Sequence, residues 1–434
     1  MGKWARKTVP SHSKTRLNKP MDFEHSEHAM VLQTCLRNFM QHHVLPANDE
    51  WLQVAESGTY PLELVNRLKQ QAREEALWNL FLPDLRPEEP GTRLTNLEYA
   101  PLAEIMGRIP WSPEVFNCNA PDTGNIELLH LFASVDQGER WLNPLLAGEI
   151  RSCFAMSEPD VASSDATNIR TSIRREGDNY VINGRKWFIT GGSHPNCRLC
   201  IVMGVTDESA DNHVRHSMVL VPMDTPGLQI VRNVPIMHHL APEGHCELLF
   251  RDVRVPLGNL LGTEGQGFAL AQARLGPGRV HHCMRTIGQC ELAFELMCER
   301  ALTRRTFGQH LSDFANVQDW IAYSRVEIDQ ARLLVLRAAW LMDRGGNSAA
   351  RVDVSAIKVV AAQLQTRVVD RAMQVFGAMG LTPDTPLSAM WTWGRALRLL
   401  DGPDEVHLRT IARHELARAR ESLGDTAVYY GRRG

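Results

Sequence analysis

Long hydrophobic runs, a strong charge of either sign and a regular cysteine pattern are all missing from this chain of 434 residues. No apolar stretch approaches the roughly 20 residues that a helix needs to span a bilayer. The formal net charge is only −3, which gives no electrostatic argument for nucleic acid or an anionic membrane as a partner. The nine cysteines are odd in number and irregularly spaced. That pattern argues against a disulfide scaffold and favours a reducing compartment.

Two local features of the sequence each have more than one possible meaning. Cys197 and Cys200 form a single C-x-x-C pair, but no second ligand pair or βαβ context accompanies it, so we expect ordinary strand residues and predict no metal site. Residues 1–20 contain Lys and Arg but no Asp or Glu. A disordered basic tail is the favoured interpretation, and a mitochondrial transit peptide is the alternative. The corresponding locations are a bacterial cytoplasm and, alternatively, the mitochondrial matrix.

The patterns that are present divide the chain into three parts after the tail. Apolar residues recur at helical spacing across 21–150, with proline-rich breaks between the helices. Across 151–256 the pattern changes to strand-like runs, and Asn183-Gly184 is a dipeptide typical of a hairpin turn. Stripes of apolar residues at helical spacing return across 257–434, as in a helical bundle. We therefore predict an α+β multidomain protein in the order helices, β-domain, helices.

The most informative segment runs from Phe154 to Gly192. It begins with a hydroxyl-rich loop, SEPDVASSD, and continues through strand-like residues to WFIT. Backbone donors and hydroxyls clustered in a loop suit a phosphate or the polar edge of a ring. An aromatic residue followed two positions later by a threonine suits a flat ring with one hydrogen-bonding atom. Taken alone, the loop could equally be an ordinary entry turn into a strand.

Three segments further along the chain carry additional polar patterns. RRTFGQ at 304–309 brings an Arg and a Thr hydroxyl close together, which suits a diphosphate, although a solvated helix start is the simpler alternative. QVFGAMG at 374–380 has glycines that suit a left-handed helix end. LLDGPDEVH at 399–407 has an acid before a Gly-Pro turn. The alternative to a chemical role for that acid, Asp401, is a cap on the helix that starts near Asp404.

In this order, the four segments resemble the sequence pattern of the acyl-CoA dehydrogenases, and the resemblance covers essentially everything from Met21 onward. It implies a helical N-terminal domain, a middle β-barrel or β-sandwich domain and a C-terminal four-helix bundle. The implied cofactor is FAD, with part of each FAD site supplied by a neighbouring subunit. The FAD-binding residues implied by the resemblance are Phe154, Met156, Ser157, Ser163, Phe188, Thr190, Arg304, Thr306, Phe307, Gln374, Gly377, Ala378, Pro403 and Glu405.

The resemblance also implies the chemistry. Asp401 stands where the family usually has the glutamate that removes the α-proton of an acyl thioester. Burial is expected to raise the pKa of this carboxyl above the reference value of about 3.9. The form D-G-P-D-E-V-H is similar to a subgroup with an aspartate base, which includes the dehydrogenase part of mammalian proteins fused to a kinase. The implied substrate-binding residues are Ser164, Gly276, Arg279 and Gly402.

The chain also departs from the family pattern at several positions. Phe188 replaces the usual tryptophan over the flavin, Gly276 replaces a usual acid, and Thr392-Trp393 replaces an Arg-Asp pair. These departures predict a reshaped region near the base. The adjacent His281 and His282 are expected to be surface or core histidines without a catalytic role.

The implied activity is FAD-dependent dehydrogenation of a fatty acyl-CoA to a trans-2-enoyl-CoA, in fatty acid β-oxidation. The expected acyl chain is medium to long, branched or substituted. The implied partners are an electron-transferring flavoprotein, as electron acceptor, and further copies of the chain in a homodimer or homotetramer. The alternatives are a nitroalkane oxidase-like or acyl-CoA oxidase-like flavoenzyme of the same superfamily, and a catalytically inactive flavin-fold binding protein.

Overall fold

A computed structural model describes residues 24–430, so the tail predicted at 1–20 lies outside the described residues. The first part of the described chain is helical: α1 (Glu27–Phe39), α2 (Asn48–Glu56), α3 (Leu62–Glu74), α4 (Asn96–Gly107), α5 (Asp122–Phe132), α6 (Val135–Gln137) and α7 (Asn143–Leu146). Side-chain caps start several of these helices. Ser26 accepts a hydrogen bond from the N–H of Ala29 in α1, and Thr95 and Glu98 form a capping box on α4.

An eight-stranded sheet follows these helices. Its strands are β1 (Arg151–Ala155), β2 (Ser172–Glu176), β3 (Asn179–Thr190), β4 (Cys197–Val205), β5 (His216–Pro222), β6 (Leu228–Asn233), β7 (His245–Pro256) and β8 (Leu260–Leu261). The order is β6-β7-β3-β2-β4-β5-β8, and β1 pairs with β4 in parallel. Alternate residues of β4 face different cores: Leu199 and Ile201 join the core shared with the helices, and Cys200 and Val202 join the core of the opposite face. The sheet is thus buried on both faces at this strand.

The hairpin predicted at Asn183-Gly184 is wrong. Both residues lie inside the continuous strand β3, and the turn between β2 and β3 falls at residues 177–178. Gly184 is required for a different reason, because a Cβ at this position would lie 2.4 Å from the hydroxyl oxygen of Thr171. Asn183 exchanges two hydrogen bonds with Asp252 on β7, where the pairing of β3 with β7 shifts register. The dipeptide therefore marks an irregularity in the hydrogen bonding between β3 and β7, and a close approach of the segment that contains Thr171.

The last part of the chain returns to helices: α8 (Gly267–Thr303), α9 (Ala315–Phe376), α10 (Leu387–Leu397) and α11 (Asp404–Glu421). A short ribbon of β9 (Arg305–Thr306) and β10 (Gln309–His310) connects α8 to α9. Gly346 interrupts α9 with φ 66° and ψ −169°, so α9 consists of two helical segments joined by a kink. Both α10 and α11 pack against α9. Among residues 24–430, no helix combines the length and the apolar character that crossing a bilayer requires.

Two glycines set the contact between the N-terminal helices and the C-terminal bundle. A Cβ on Gly288 of α8 would lie 1.9 Å from the carbonyl oxygen of Glu104, and one on Gly107 of α4 would lie 2.2 Å from the carbonyl oxygen of Arg285. The backbones of α4 and α8 are therefore in direct contact, which only residues without a side chain allow. This contact determines where α8 lies relative to the rest of the molecule.

We expect Gly288→Ala to lower the free energy of unfolding by about 1–3 kcal/mol, because the added methyl group overpacks the contact between α4 and α8. Gly278→Ala in the same helix is the matched control, since a Cβ there would meet nothing within 4 Å. The control should be neutral or stabilising by up to about 1 kcal/mol, from helix propensity. Urea denaturation of both variants measures the difference. Equal effects of the two substitutions would contradict the tight contact.

Candidate active site

The hydroxyl-rich loop after β1 is held by a buried lysine. Lys186 on β3 is fully buried, and its Nζ donates to the carbonyl oxygens of Met156 and Met203 at 2.8 and 2.7 Å and to Glu158 Oε1 at 2.9 Å. The carboxylate of Glu158 also accepts the backbone N–H groups of Arg170 and Thr171, each at 2.8 Å. All donors of the lysine are thus satisfied inside the fold, which is the condition for burying a charge.

Opposing effects act on the pKa values of this pair. Burial lowers the pKa of Lys186 to about 8, although the negative charge of Glu158 acts in the opposite direction. Burial works to raise the pKa of Glu158, but Lys186 and the hydrogen bonds from Thr171 outweigh it and leave the pKa below its usual value. Near neutral pH the two groups therefore form an ion pair that ties the loop to β3.

The predicted flavin-loop residues come together around this ion pair. Ser163 accepts the N–H of Glu158 at 2.8 Å, so the loop closes on itself. The carbonyl of Ser157 accepts the N–H of Trp187 at 3.0 Å, which attaches the loop to β3 a second time. Phe154 on β1 lies under the guanidinium of Arg274 from α8, at 4.1 Å from the ring centre. Met156 and Ser157 thus contact β3, Ser163 closes the loop, and Phe154 contacts α8. We call these four residues the flavin-loop edge.

Phe188 and Thr190 lie at the end of β3. Phe188 adopts φ 52° and leaves 38% of its surface exposed, with its ring against that of Trp187. The hydroxyl of Thr190 is 3.0 Å from Nδ1 of His245, whose ring stacks on Trp393 at 5.7 Å between centres. Burial lowers the pKa of His245 to about 4, so this imidazole is neutral near pH 7. The unusual Trp393 thus supports the ring that contacts Thr190.

Asp401 lies in a tight turn between α10 and α11. Its φ is 51° and that of Gly402 is 101°, and both values lie in the left-handed region that side chains disfavour. A Cβ on Gly402 would also lie 3.0 Å from His407 Nε2. The carbonyl oxygen of Asp401 accepts a hydrogen bond from Arg279 Nε at 2.8 Å and contacts His407 Nε2 at 3.3 Å. The backbone of the turn is therefore fixed from α8 and from α11.

The alternative role for Asp401 as a helix cap is wrong. Helix α11 does begin at Asp404, but its N-cap residue is Pro403 and the helix has no side-chain cap. The Asp401 carboxylate instead approaches α8, where Oδ2 is 3.0 Å from His282 Nε2. Side-chain exposure of Asp401 is 23%, so the group is largely enclosed and retains access from one side.

The expected rise in the pKa of Asp401 is also wrong. Burial does act to raise this pKa, but the hydrogen bond from His282 and the positive charges of Arg274 and Arg279 outweigh it. The pKa of Asp401 is held well below its usual range, so the carboxylate is charged at neutral pH. Burial can be expected from the sequence, whereas the three basic side chains of α8 come to surround the acid only in the folded chain.

The structure brings together three of the four predicted substrate-binding residues. Gly402 lies against Arg279, since a Cβ on the glycine would be 3.7 Å from the guanidinium nitrogen. Gly276 lies one turn before Arg279 on α8, and the space of its missing side chain is filled by Asn347, whose Oδ1 would be 1.9 Å from a Cβ there. Ser164 is exposed in the flavin loop. Among the contacts of the described residues, none joins Ser164 to the other three.

The remaining predicted cofactor residues form a second group. Thr306, Phe307 and Gln374 line a cavity of about 210 Å³ together with Leu311, Phe314, Asn316, Val317, Trp320 and Val375, so that its described lining contains no acidic side chain. Arg304, Gly377 and Ala378 are exposed next to it in the chain. Helix α8 has 37 residues and is about 55 Å long. Arg279 and Arg304 are separated by about two thirds of that length, so the two groups lie far apart in one chain.

These two groups fit the two ends of FAD. The exposed ring of Phe188 and the hydroxyl of Thr190 offer a flat surface with a polar neighbour, as a flavin ring requires. The acid-free cavity with a threonine hydroxyl, the adjacent Arg304 and the rings of Phe314 and Trp320 suits an anionic diphosphate and an aromatic base. Pro403 and Glu405 lie at the start of α11, beside Asp401. Among residues 24–430, no group of three or more His, Cys, Asp or Glu side chains is placed to bind a metal ion.

Comparison with known families identifies this combination of fold and site. The acyl-CoA dehydrogenase models match residues 25–149 for the N-terminal domain, 153–253 for the middle domain and 265–416 for the C-terminal domain. The chain belongs to the acyl-CoA dehydrogenase family. It is 52% identical to a Mycobacterium tuberculosis protein named "Probable acyl-CoA dehydrogenase FadE2", over 93% of this chain and 99% of that protein. It is 48% identical to acyl-CoA dehydrogenase family member 11 of Gallus gallus, over 88% of this chain and 49% of that protein.

Solved structures agree with this relationship. A Mycobacterium abscessus protein assigned to the acyl-CoA dehydrogenases is 50% identical, with a TM-score of 0.87, and the match covers 91% of this chain and 99% of that one. Butyryl-CoA dehydrogenase from Megasphaera elsdenii is 26% identical, with a TM-score of 0.77 over 91% and 100%. The chain spans about half the length of the vertebrate family member 11.

These findings confirm the predicted family and fold, an oxidoreductase of the acyl-CoA dehydrogenase type, and FAD as its cofactor. The domain boundaries and the individual site residues stay predictions.

Four residues of the site were not found from the sequence. The sequence around Lys186 does not single it out, and His245 and Asn347 reach the site from distant segments of the chain. His282 was interpreted as structural, although Arg279, His282 and Arg285 recur every third residue. Polar residues at that spacing on an otherwise buried helix indicate that one face of the helix packs against polar groups of the protein or of a ligand. That signal was present in the sequence.

We expect Lys186→Met to lower the free energy of unfolding by about 3–5 kcal/mol, because it leaves the charge of Glu158 buried without a partner. The flavin loop should loosen, and the purified variant should lose bound FAD. Arg254→Met is the matched control, since Arg254 forms an exposed ion pair with Glu176 at 3.0 Å, and it should cost less than about 1 kcal/mol. Thermal denaturation and the flavin absorbance per chain test both points. Similar losses in the two variants would refute the anchoring role.

Proposed function

We propose that this protein dehydrogenates a fatty acyl-CoA to a trans-2-enoyl-CoA, with Asp401 as the base that removes the α-proton. The position of Arg274 is the observation that supports this most directly. Its guanidinium lies over Phe154 of the flavin-loop edge, and its charge also acts on Asp401. One side chain thus joins the edge proposed to bind the flavin to the carboxylate proposed to act on the substrate. A base and a redox cofactor that act on adjacent carbons must occupy neighbouring sites, and Phe154 and Asp401 both contact α8.

The charge state of Asp401 suits proton removal. The carboxylate is ionised at neutral pH, and Oδ2 is engaged by His282 while Oδ1 is not held by a hydrogen bond among the described residues. The α-proton is proposed to transfer to Oδ1. Because the pKa of Asp401 is low, base strength contributes little, and the acidity of the α-carbon has to come from stabilisation of the thioester oxygen.

The backbone N–H of Asp401 is the proposed donor to that oxygen. Among the hydrogen bonds of residues 24–430, none uses this N–H. Its direction is fixed because the adjoining turn is held by Arg279 and His407 through the carbonyl of Asp401. A fixed donor aimed at a developing negative charge typically contributes ~10²–10³ in rate.

The shorter side chain of aspartate requires the backbone to lie closer to the substrate. The left-handed conformation of Asp401 and its attachment to Arg279 fix the position of this backbone. We infer that the turn compensates for the missing methylene, which would otherwise shorten the reach by about 1.5 Å.

The proposed FAD site combines two chains. When bound, FAD accepts the β-hydrogen of the acyl chain as a hydride. The flavin-loop edge, Phe188 and Thr190 hold its ring, and Thr190 keeps its hydroxyl oriented through His245. The distance along α8 favours a clamp in which Arg304, Thr306, Phe307, Gln374, Gly377 and Ala378 bind the diphosphate end of a neighbouring subunit's FAD.

Arg279 and Gly402 are proposed to line the acyl-CoA path beside the base, with Ser164 contacting the CoA from the flavin loop. The space at Gly276 is taken by Asn347, so any contact there is made by the asparagine amide. We propose a medium to long, branched or substituted acyl chain, an electron-transferring flavoprotein as acceptor, and a homodimer or homotetramer.

Anaerobic titration of the bound flavin with acyl-CoAs of graded length tests the reaction and the base. The wild-type absorbance should bleach with one length class. Asp401→Asn should retain FAD and bleach ~10²–10⁴-fold more slowly, because a general base contributes about that much. Asp401→Glu should lose about 10²-fold, since its longer side chain displaces the carboxylate in a turn adapted to aspartate.

Asp425→Asn, an exposed position near the C-terminus, is the control and should bleach as the wild type does. A flavin that no acyl-CoA reduces would contradict the dehydrogenase proposal. Reduction by a nitroalkane instead would identify the nitroalkane oxidase-like alternative, and no reduction by either would favour the binding protein. Rapid reoxidation by oxygen after bleaching would indicate an acyl-CoA oxidase.

Mixed oligomers test the proposed sharing of the FAD site. One subunit carries Asp401→Asn and the other carries Arg304→Ala with Thr306→Ala, and differently tagged copies are purified together after co-expression. If the clamp acts on the neighbour's FAD, one site of each mixed dimer has both halves intact. The mixed dimers should then recover about half of the wild-type activity. If the clamp instead acted within its own subunit, each site of a mixed dimer would still lack either the base or the clamp. The activity of the mixed dimers would then not exceed the sum of the activities of the two parent variants.

A further inference from the structure

Arg279, His282 and Arg285 form a polar stripe on one face of α8, and His282 is the member that touches the Asp401 carboxylate. His282 Nε2 lies 3.0 Å from Asp401 Oδ2. On the other side of the ring, Nδ1 lies 3.1 Å from Arg285 Nη2. Arg285 is itself held by a hydrogen bond of 3.2 Å from Nη1 to the carbonyl oxygen of Cys118. Both ring nitrogens of His282 are therefore engaged, by groups of opposite character.

The arginine determines which nitrogen of the imidazole bears the hydrogen. A guanidinium can only donate, so Nδ1 of His282 must accept. The hydrogen of a neutral imidazole is then on Nε2, which donates it to the carboxylate. Burial lowers the pKa of His282, and the hydrogen bond to Asp401 opposes this without reversing it. Arg285 thus donates both to Cys118 and to His282, and the direction from donor to acceptor is single only from Arg285 through His282 to Asp401.

We propose that His282 is a positioning residue for the base: its Nε2–H holds Oδ2 of Asp401, so that Oδ1 faces the α-carbon of the substrate. This rests on the proposed function of Asp401. A carboxylate can rotate about its terminal bond, whose torsional preference is broad. One directional hydrogen bond at Oδ2 restricts that rotation and places the second oxygen. The same hydrogen bond stabilises the charged form and lowers basicity, so the arrangement favours orientation over base strength.

Other charged groups surround Asp401, and their contribution differs from that of His282. Arg274 and Arg279 act on its charge from α8, Lys358 acts from α9, and His407 approaches from α11. Arg279 and His407 contact its carbonyl oxygen, and Lys358 is engaged by the carbonyl of Leu397. Among the ion pairs of the described residues, only that of His282 involves the carboxylate itself, with Nε2 at 3.0 Å from Oδ2. Removing the imidazole of His282 should leave the surrounding positive charge in place but abolish the fixed orientation of the Asp401 carboxylate.

Two substitutions separate the roles of the two ring nitrogens. The amide nitrogen of glutamine is as many bonds from Cβ as Nε2 of histidine, and that of asparagine matches Nδ1. His282→Gln can therefore still donate to Asp401, whereas His282→Asn cannot reach it and His282→Leu has no donor. His414→Asn on α11 is a control at an exposed position.

The measurement is α-proton exchange in D₂O with 3,3-dimethylbutyryl-CoA, which has no β-hydrogen to transfer. The α C–H bond breaks, the proton goes to Asp401, and the electron pair is delocalised onto the thioester oxygen. After the carboxyl exchanges with solvent, a deuteron returns to the α-carbon. NMR follows the exchange without any redox step, using FAD-loaded enzyme across a range of pH.

We expect His282→Asn and His282→Leu to slow exchange by about 10²-fold, the size of effect that a displacement of about 1 Å produces. The acid limb of the curve of exchange rate against pH should move to higher pH in both variants, because a carboxylate that loses a hydrogen-bond donor has a higher pKa. His282→Gln should recover most of the rate and keep the limb near its wild-type position. His414→Asn should behave as the wild type in both respects.

Equal losses in the Gln and Asn variants, with an unmoved acid limb, would overturn the positioning role and indicate a purely structural histidine. Thermal denaturation and FAD content identify a variant that fails to fold. Failure of the underlying function gives a different result: wild-type enzyme would then catalyse no exchange, or would exchange as fast with Asp401→Asn. Exchange that depends on Asp401 but not on His282 would leave the function intact and refute only this inference.

Discussion

Direct contact between the backbones of α4 and α8 is the constraint on which the site depends. Gly107 and Gly288 allow the contact, and the carbonyl of Arg285 lies at its centre. The side chain of the same Arg285 leads through His282 to Asp401. The residue that Gly107 approaches, Arg285, and the histidine that contacts the carboxylate, His282, are therefore less than one helical turn apart on α8. A displacement of α8 from α4 would move Arg274, Arg279 and His282 together relative to the turn that bears the acid.

The electrostatics of the site follow from placing one acid among several bases. Three side chains of α8 lower the pKa of Asp401 more than its burial raises it. Such an acid remains charged over the whole physiological range, so its availability does not vary with pH there. In the proposed reaction the acidity of the α-carbon must then come from the thioester, whose oxygen needs a well-placed donor. Orientation and oxyanion stabilisation thus take the place of a strong base.

The sequence predicted the fold class well because the evidence for it is local and repeated. Helical stripes, strand-like runs and four separate motifs all support the same arrangement, and no single substitution removes that agreement. The hairpin prediction at Asn183-Gly184 was wrong because glycine is needed there to make room for Thr171, a residue on another part of the chain. The predicted rise in the pKa of Asp401 was wrong for a similar reason. Burial can be anticipated from an apolar surrounding, but the count and direction of nearby cations depend on how α8 packs.

Asn347 has a consequence for how relatives of this chain can vary. Its side chain enters from the kink at Gly346 and occupies the volume that a side chain at residue 276 would need. Positions 276 and 347 therefore share one volume, although α8 and α9 supply them separately. A homologue with an acid at the first position must have a small residue, or a differently bent helix, at the second. The two positions should covary as a pair, so that the polar group beside the proposed acyl-CoA path can be supplied by either helix while the space it fills is kept.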